Sequence, residues 1–115
     1  MFSLKWTLEA RSQFDVLRQR AEVSLAARRK SNKTKATAEE GRFKQAHKCA
    51  SLLAENPRHP GLRTHEYHAL EHPYEKDGKV FEAYLQNRTP GAYRLFWCYG
   101  PGKREITTLA ITPHP

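Results

Sequence analysis

Three short β-rich runs close the chain, and they constrain its fold more than any other feature of the sequence. The runs are Val80–Leu85, Ala92–Tyr99 and Glu105–Thr112. The second run is rich in aromatic residues and the third in β-branched residues, and both kinds of residue favour strands. Turn signals separate them, at Asn87–Gly91 and at Pro101-Gly102. Short turns between consecutive strands predict an antiparallel meander.

Two helices joined by a basic loop are predicted upstream of the meander. From Leu8 to about Arg29, apolar residues recur every three or four positions without an intervening Pro or Gly. The polar stretch Arg28–Lys35 follows as a turn, and Thr37 begins a second helix with a capping box. Asn56-Pro57 ends this second helix, because Pro cannot extend it. Two helices joined by a short loop are expected to pack as an antiparallel hairpin.

A short N-terminal segment completes the predicted fold. Phe2–Trp6 alternates apolar and polar residues, so it is expected to be a strand that joins the sheet. Leu62–Leu70 is expected to be partly extended. The sequence therefore predicts an α+β fold of order β-α-α-β-β-β: a twisted antiparallel β-sheet with an N-terminal α-helical hairpin packed on one face. The 115 residues indicate one domain over the whole chain.

The charge balance predicts a polyanionic or acidic partner. Twenty Lys and Arg against twelve Asp and Glu leave a formal net charge of +8. A domain this basic commonly binds nucleic acid or an acidic protein, although a basic surface can also serve solubility alone.

The two cysteines and the lack of targeting signals favour the cytoplasm. Cys49 and Cys98 belong to no motif, so they are expected to be reduced and buried. No segment resembles a signal peptide, and no run approaches membrane-spanning length. We therefore expect a cytoplasmic protein without a membrane partner.

Several segments, taken in order, resemble the RelE/ParE toxins of bacterial toxin–antitoxin pairs. They are Leu53–Leu62 (LAENPRHPGL), Arg63–His68 (RTHEYH), Val80–Tyr84 (VFEAY), Ala92–Trp97 (AYRLFW) and the closing run that ends in Thr112–Pro115 (TPHP). The likeness covers nearly the whole chain. Its most informative features are the Asn-Pro-x-x-Pro helix end, the Tyr-Arg-hydrophobic strand and the terminal histidine.

The resemblance implies a partner and a choice of activities. It implies a small acidic antitoxin that neutralises the protein, and no cofactor. RelE-like members cut mRNA on the ribosome without a metal, whereas ParE-like members inhibit DNA gyrase. A third possibility is a non-catalytic member that only binds antitoxin or nucleic acid. Family members often continue into a helix or basic tail, whereas this sequence stops three residues after Thr112, and that departure favours the gyrase alternative.

Arg94 and Glu82 are the first candidates for RNA cleavage. Metal-free cleavage needs a base, an acid and positive charge at the phosphate. Strand alternation places Arg94 with Phe96 and Cys98, opposite the helix-facing side chains, and its guanidinium suits a phosphate. It also matches the family's strand arginine. Glu82 is either a general base or the ion-pair partner that holds Arg94.

Two histidines complete the candidate catalytic set. His114 follows the last strand, where the family often has a catalytic or substrate-contacting histidine, and imidazole can act as acid or base. The alternative is a frayed terminal residue. His65 matches the family's basic position on the second strand. His65 and His68 face opposite sides of a strand and have no further ligand at a suitable spacing, so no metal site is predicted.

A further set of basic and aromatic residues is expected to bind substrate. Four cations are candidates for positioning phosphates, or alternatively form a solvated rim: Arg63, Arg88, Lys103 and Arg104. Tyr67 and Tyr84 are the candidates for stacking on a base. The remaining aromatic residues of the second run, Tyr93, Trp97 and Tyr99, are expected to belong to the core.

Overall fold

The molecule is a helical hairpin packed on a five-stranded sheet. The structure, a computed structural model, describes residues 1–86 and 91–114. Its elements in chain order are β1 (Ser3–Trp6), α1 (Leu8–Lys30), α2 (Ala38–Glu55), a 3-10 turn (Pro60–Leu62), β2 (His65–Tyr67), β3 (Val80–Tyr84), β4 (Tyr93–Tyr99) and β5 (Glu105–Pro113). The α+β fold expected from the sequence is confirmed, and β2 adds one strand to the predicted order β-α-α-β-β-β, within the segment Leu62–Leu70 that was expected to be partly extended.

The sheet is mixed, whereas the sequence predicted a wholly antiparallel one. Its order is β1-β5-β4-β3-β2, and the meander of β3, β4 and β5 is antiparallel as predicted. β1, however, pairs with β5 in parallel, with Ser3 opposite Glu105. A parallel pair needs a long crossover connection, which the helical hairpin and the other strands supply between these two ends of the chain.

Local capping fixes both helices and the basic loop between them. The Thr7 hydroxyl accepts a hydrogen bond from Ala10 N at the start of α1, and the predicted capping box at Thr37 is present. Arg28 donates to a carboxylate oxygen of Glu40 at 2.8 Å and so ties the end of α1 to the start of α2. This hydrogen bond lowers the pKa of Glu40 from 4.5 to about 2. None of the described helices is long and apolar enough to cross a bilayer.

The main core lies between the hairpin and one face of the sheet. Phe14 and Leu53 of the helices pack in the same cluster as Leu95, Trp97 and Ile111 of the strands. Trp97 is 1% exposed. The face of β4 that carries Leu95 and Trp97 is therefore the helix side, as the alternation in the sequence predicted.

The opposite face of the sheet carries a smaller apolar cluster. Its buried members are Val80, Phe96, Cys98, Leu109 and Ala110. The loop between β2 and β3 reaches across this face, since the Thr107 hydroxyl of β5 bonds the Tyr74 hydroxyl at 3.1 Å. Both cysteines are buried free thiols, as predicted. The part of this face that bears Arg94 belongs to the candidate site.

Candidate active site

Glu82 is a buried carboxylate at the centre of the candidate site. It lies in the middle of β3 and is 1% exposed. In the sheet it stands opposite His65 of β2 and Phe96 of β4. Paired residues of adjacent strands place their side chains on one face, so Glu82 points away from the helices. The four residues predicted to be catalytic, Glu82, His65, Arg94 and His114, meet here, and we call them the Glu82 cluster.

Two half-exposed histidines contact the two oxygens of this carboxylate. His65 Nε2 lies 2.6 Å from Glu82 Oε1, and His114 Nδ1 lies 3.4 Å from Oε2. The second contact is close enough for an ion pair but lacks the geometry of a hydrogen bond, because Oε2 has no hydrogen-bond partner among the described residues. The two histidine side chains are 49% and 47% exposed, so a substrate can reach the imidazoles although it cannot reach Glu82.

Each histidine is held by a second contact. His65 Nδ1 lies 3.2 Å from the carbonyl oxygen of Arg63, to which it donates. Both ring nitrogens of His65 therefore face acceptors, an arrangement that the doubly protonated imidazolium satisfies. The backbone N–H of His114 donates to Ala92 O at 2.8 Å, which extends the β4–β5 pairing. His114 is thus fixed against β4 rather than frayed.

Arg94 lies on the expected face but is buried. The whole residue is 7% exposed, and its Nη1 donates to Gln86 O at 2.8 Å and Tyr93 O at 3.1 Å. The guanidinium carbon sits 3.7 Å from the centre of the Tyr84 ring. Its Nε is 3.8 Å from Glu82 Oε1 and has no hydrogen-bond partner in the described part of the chain. Arg94 therefore lies beside Glu82. The sequence had left this ion pair open as the alternative to a contact between Arg94 and a phosphate.

The contacts of Arg94 could not be read from the sequence in full. The two carbonyls that hold it belong to Gln86 and Tyr93, which flank the turn between β3 and β4. Backbone carbonyls have no signature in the side-chain pattern, so no sequence signal marks them. The contacts of the guanidinium with the Gln86 and Tyr93 carbonyls therefore could not be predicted from strand alternation.

The two tyrosines proposed to stack on a base both line the face of the Glu82 cluster. Tyr84 has one ring face covered by Arg94, and its ring meets His65 at 5.7 Å in an edge-on arrangement. The Tyr67 ring packs 4.6 Å from Phe96. Both tyrosines are half-buried, so a stacking role requires the ring surface that these neighbours leave open.

The predicted phosphate-positioning cations do not surround the Glu82 cluster. Lys103 and Arg104 follow the far end of β4, and the strand between Arg94 and Tyr99 alone spans about 17 Å. Arg104 instead donates to Met1 O at 3.2 Å. Arg63 lines a cavity on the helix side of the sheet. Arg94 lies near the start of β4, whereas Lys103 and Arg104 lie in the turn that follows its end, and this explains their separation.

The remaining sequence predictions for the site concern Arg88 and metal binding. Arg88 and most of the predicted turn Asn87–Gly91 lie outside the described residues. Within residues 1–86 and 91–114, no group of three or more His, Cys, Asp and Glu side chains is arranged to hold a metal ion. His68 Nδ1 instead lies 3.2 Å from a carboxylate oxygen of Glu66.

The fold is shared with a YoeB/ParE toxin from Agrobacterium tumefaciens. The two structures align with a TM-score of 0.62 over 98% of this chain and 99% of that chain, at 7% sequence identity. No protein-family model matches the sequence. No curated protein matches it either. The structural likeness confirms the fold that the sequence resemblance implied.

Proposed function

We propose that this protein is the toxin of a toxin–antitoxin pair and that it cuts mRNA on the ribosome without a metal. The Glu82 cluster is the observation that carries the proposal, because it joins a buried carboxylate, two half-exposed imidazoles and a guanidinium in one site. The shared fold with a YoeB/ParE toxin supports the toxin class. The net charge of +8 supports an RNA substrate.

The two histidines divide the proton transfers of cleavage between them. His114 takes the proton of a 2′-hydroxyl, and the resulting oxygen attacks the adjacent phosphorus. The bond from phosphorus to the 5′-oxygen breaks, and the His65 imidazolium donates its proton to that leaving oxygen. The products are a 2′,3′-cyclic phosphate and a 5′-hydroxyl, so atoms and charge balance. His65 is assigned as the acid because both its ring nitrogens face acceptors.

Glu82 and Arg94 position this pair. The carboxylate contacts both imidazoles, and its short contact with Nε2 fixes the ring orientation of His65. The guanidinium of Arg94 balances the charge of the carboxylate, with Nε 3.8 Å from Glu82 Oε1. A buried carboxylate without a cationic neighbour is costly, so the guanidinium offsets part of the cost of burying Glu82 between the histidines.

A small acidic antitoxin is the proposed protein partner. The basic surface of the toxin attracts such a partner, and the attraction makes association fast and sensitive to salt. The same positive charge serves binding of ribosome-associated RNA, and the proposed place of action is the cytoplasm.

Expression in a bacterial host tests the proposal. We expect the wild-type chain to arrest growth and to produce new mRNA 5′ ends, and His65→Ala and His114→Ala to abolish both. His47→Ala is the matched control, because His47 is exposed on α2 far from the cluster. Growth arrest with intact RNA and loss of DNA supercoiling would instead identify a gyrase inhibitor. Normal growth with folded protein would identify a non-catalytic member.

A further inference from the structure

A cavity lies on the helix side of the sheet, at the end away from Arg94. Its volume is about 490 Å³, within the range of small-molecule sites. The segment Pro57–Thr64 forms one wall, and the aromatic residues Phe81, Trp97 and Tyr99 form the other. The mechanism proposed for the Glu82 cluster uses none of these side chains.

A neighbouring cavity extends the first one into a groove. It measures about 390 Å³ and shares Phe81 and Tyr99 with the first. The Tyr99 ring stands edge-on to Trp97 at 5.0 Å and to Phe81 at 6.0 Å, while 39% of the residue stays exposed. Tyr99 is thus an aromatic platform held by its neighbours and open to solvent. We call the two cavities together the Tyr99 groove.

Positive charge dominates the rim of the Tyr99 groove. One carboxylate, that of Glu75, lines the groove. The four cations that line it are Arg58, Arg63, Lys79 and Lys103. None of the ion pairs found among the described residues involves Arg58, Arg63 or Lys103. Uncompensated cations around an aromatic surface match the chemistry of single-stranded nucleic acid, whose phosphates are anionic and whose bases stack.

Two buried polar atoms in the walls also lack partners. Thr64 Oγ1 and Trp97 Nε1 belong to residues that line the first cavity, and neither has a hydrogen-bond partner in the described part of the chain. Buried polar groups nearly always have such a partner. Both atoms are themselves buried, so the contacts proposed below for RNA are those of the exposed Tyr99 ring and the cations.

We propose that the Tyr99 groove binds single-stranded RNA, with a base against Tyr99 and neighbouring phosphates on Arg58, Arg63 and Lys103. The site goes beyond the proposed cleavage, since binding here needs neither Glu82 nor the histidines. β2 forms the edge of the sheet between the groove and the Glu82 cluster. The Arg63 carbonyl contacts the His65 ring, so an RNA strand that passes around this edge connects the two sites.

Fluorescence of Trp97 tests the groove directly. In a Trp6→Phe background Trp97 is the sole tryptophan, and a single-stranded 2′-O-methyl RNA octamer serves as ligand because it lacks the 2′-hydroxyl needed for cleavage. We expect saturable quenching of Trp97. Tyr99→Ala should weaken binding roughly tenfold, the scale of one lost base stack. Tyr99→Leu, which keeps apolar packing, should do the same. Arg63→Ala should lower the salt slope by about one phosphate contact.

A matched arginine provides the control for nonspecific charge. Arg29→Ala removes the same charge from an exposed position at the hairpin loop, and it should leave Trp97 quenching and affinity unchanged. Absence of binding, binding without quenching, or equal losses from Arg29→Ala and Tyr99→Leu would overturn the proposal. The octamer assay does not depend on cleavage, because its ligand lacks the 2′-hydroxyl. The two proposals can therefore fail independently. Absence of cleavage would not overturn RNA binding in the Tyr99 groove, and absence of binding in the groove would not overturn cleavage at the Glu82 cluster.

Discussion

The ion pair between Arg94 and Glu82 can be tested by a double-mutant cycle on stability. Arg94→Met removes the charge but keeps an unbranched chain to pack on Tyr84. At the observed 3.8 Å between Nε and Oε1, two unit charges attract by about 4 kcal/mol at an effective dielectric constant near 20. Desolvation offsets part of this attraction. Removing one partner nevertheless leaves a carboxylate that is 1% exposed, and we expect Arg94→Met to cost about 3–5 kcal/mol of unfolding free energy.

The double variant separates pairing from simple burial. With Glu82→Gln the carboxylate charge is gone, so the double variant should lose less stability than the sum of the two single variants, by about 1–3 kcal/mol. Urea denaturation gives all four free energies, provided the m-value is constant. Arg42→Met is the matched control, because Arg42 also stacks on a tyrosine, Tyr93, at 4.7 Å but lies in a helix. Additivity of Arg94→Met with Glu82→Gln to within about 0.5 kcal/mol would refute the pairing.

Three further predictions concern the scaffold. Leu53→Ala, at a fully buried core position, should lower the unfolding free energy by about 2–5 kcal/mol in urea denaturation, and an unchanged midpoint would contradict the packing. Because the folded pKa of Glu40 is about 2, its contribution to stability is present above pH 4.5 and is lost as the pH falls towards 2; acid titration of Glu40→Gln should lack this component, and an identical acid profile would disprove it. Burial raises the thiol pKa of Cys49 to about 12 and of Cys98 to about 11, so alkylation should be slow in the folded protein and fast in urea, as mass spectrometry can show.

Local signals in the sequence predicted the scaffold well. The helical stripe of α1 and the capping box at Thr37 depend on residues a few positions apart, and both are present in the structure. The alternation in β4 likewise predicted that Trp97 faces the helices and Arg94 the other side. The parallel pairing of β1 with β5 could not be predicted in this way, because no local pattern encodes the partner of a strand a hundred residues away.

The sequence predicted which residues belong to the candidate site better than it predicted their geometry. Strand register brings His65 opposite Glu82, and each residue was identified singly from its chemistry and from the family resemblance. Arg94 is held by the backbone carbonyls of Gln86 and Tyr93, which side-chain patterns do not show. Lys103 was grouped with the site because of its charge alone. Chain geometry places it in the Tyr99 groove instead.

The rate of RNA cleavage by purified protein tests the central claim about the Glu82 cluster most directly. Single-turnover cleavage of ribosome-bound mRNA should slow about 10²–10⁴-fold in His114→Ala, as expected when a general base is lost, and His47→Ala should keep the wild-type rate. The wild-type products should carry 2′,3′-cyclic phosphate and 5′-hydroxyl ends. Cleavage by His114→Ala at the wild-type rate, or products with 5′-phosphate ends, would contradict the account.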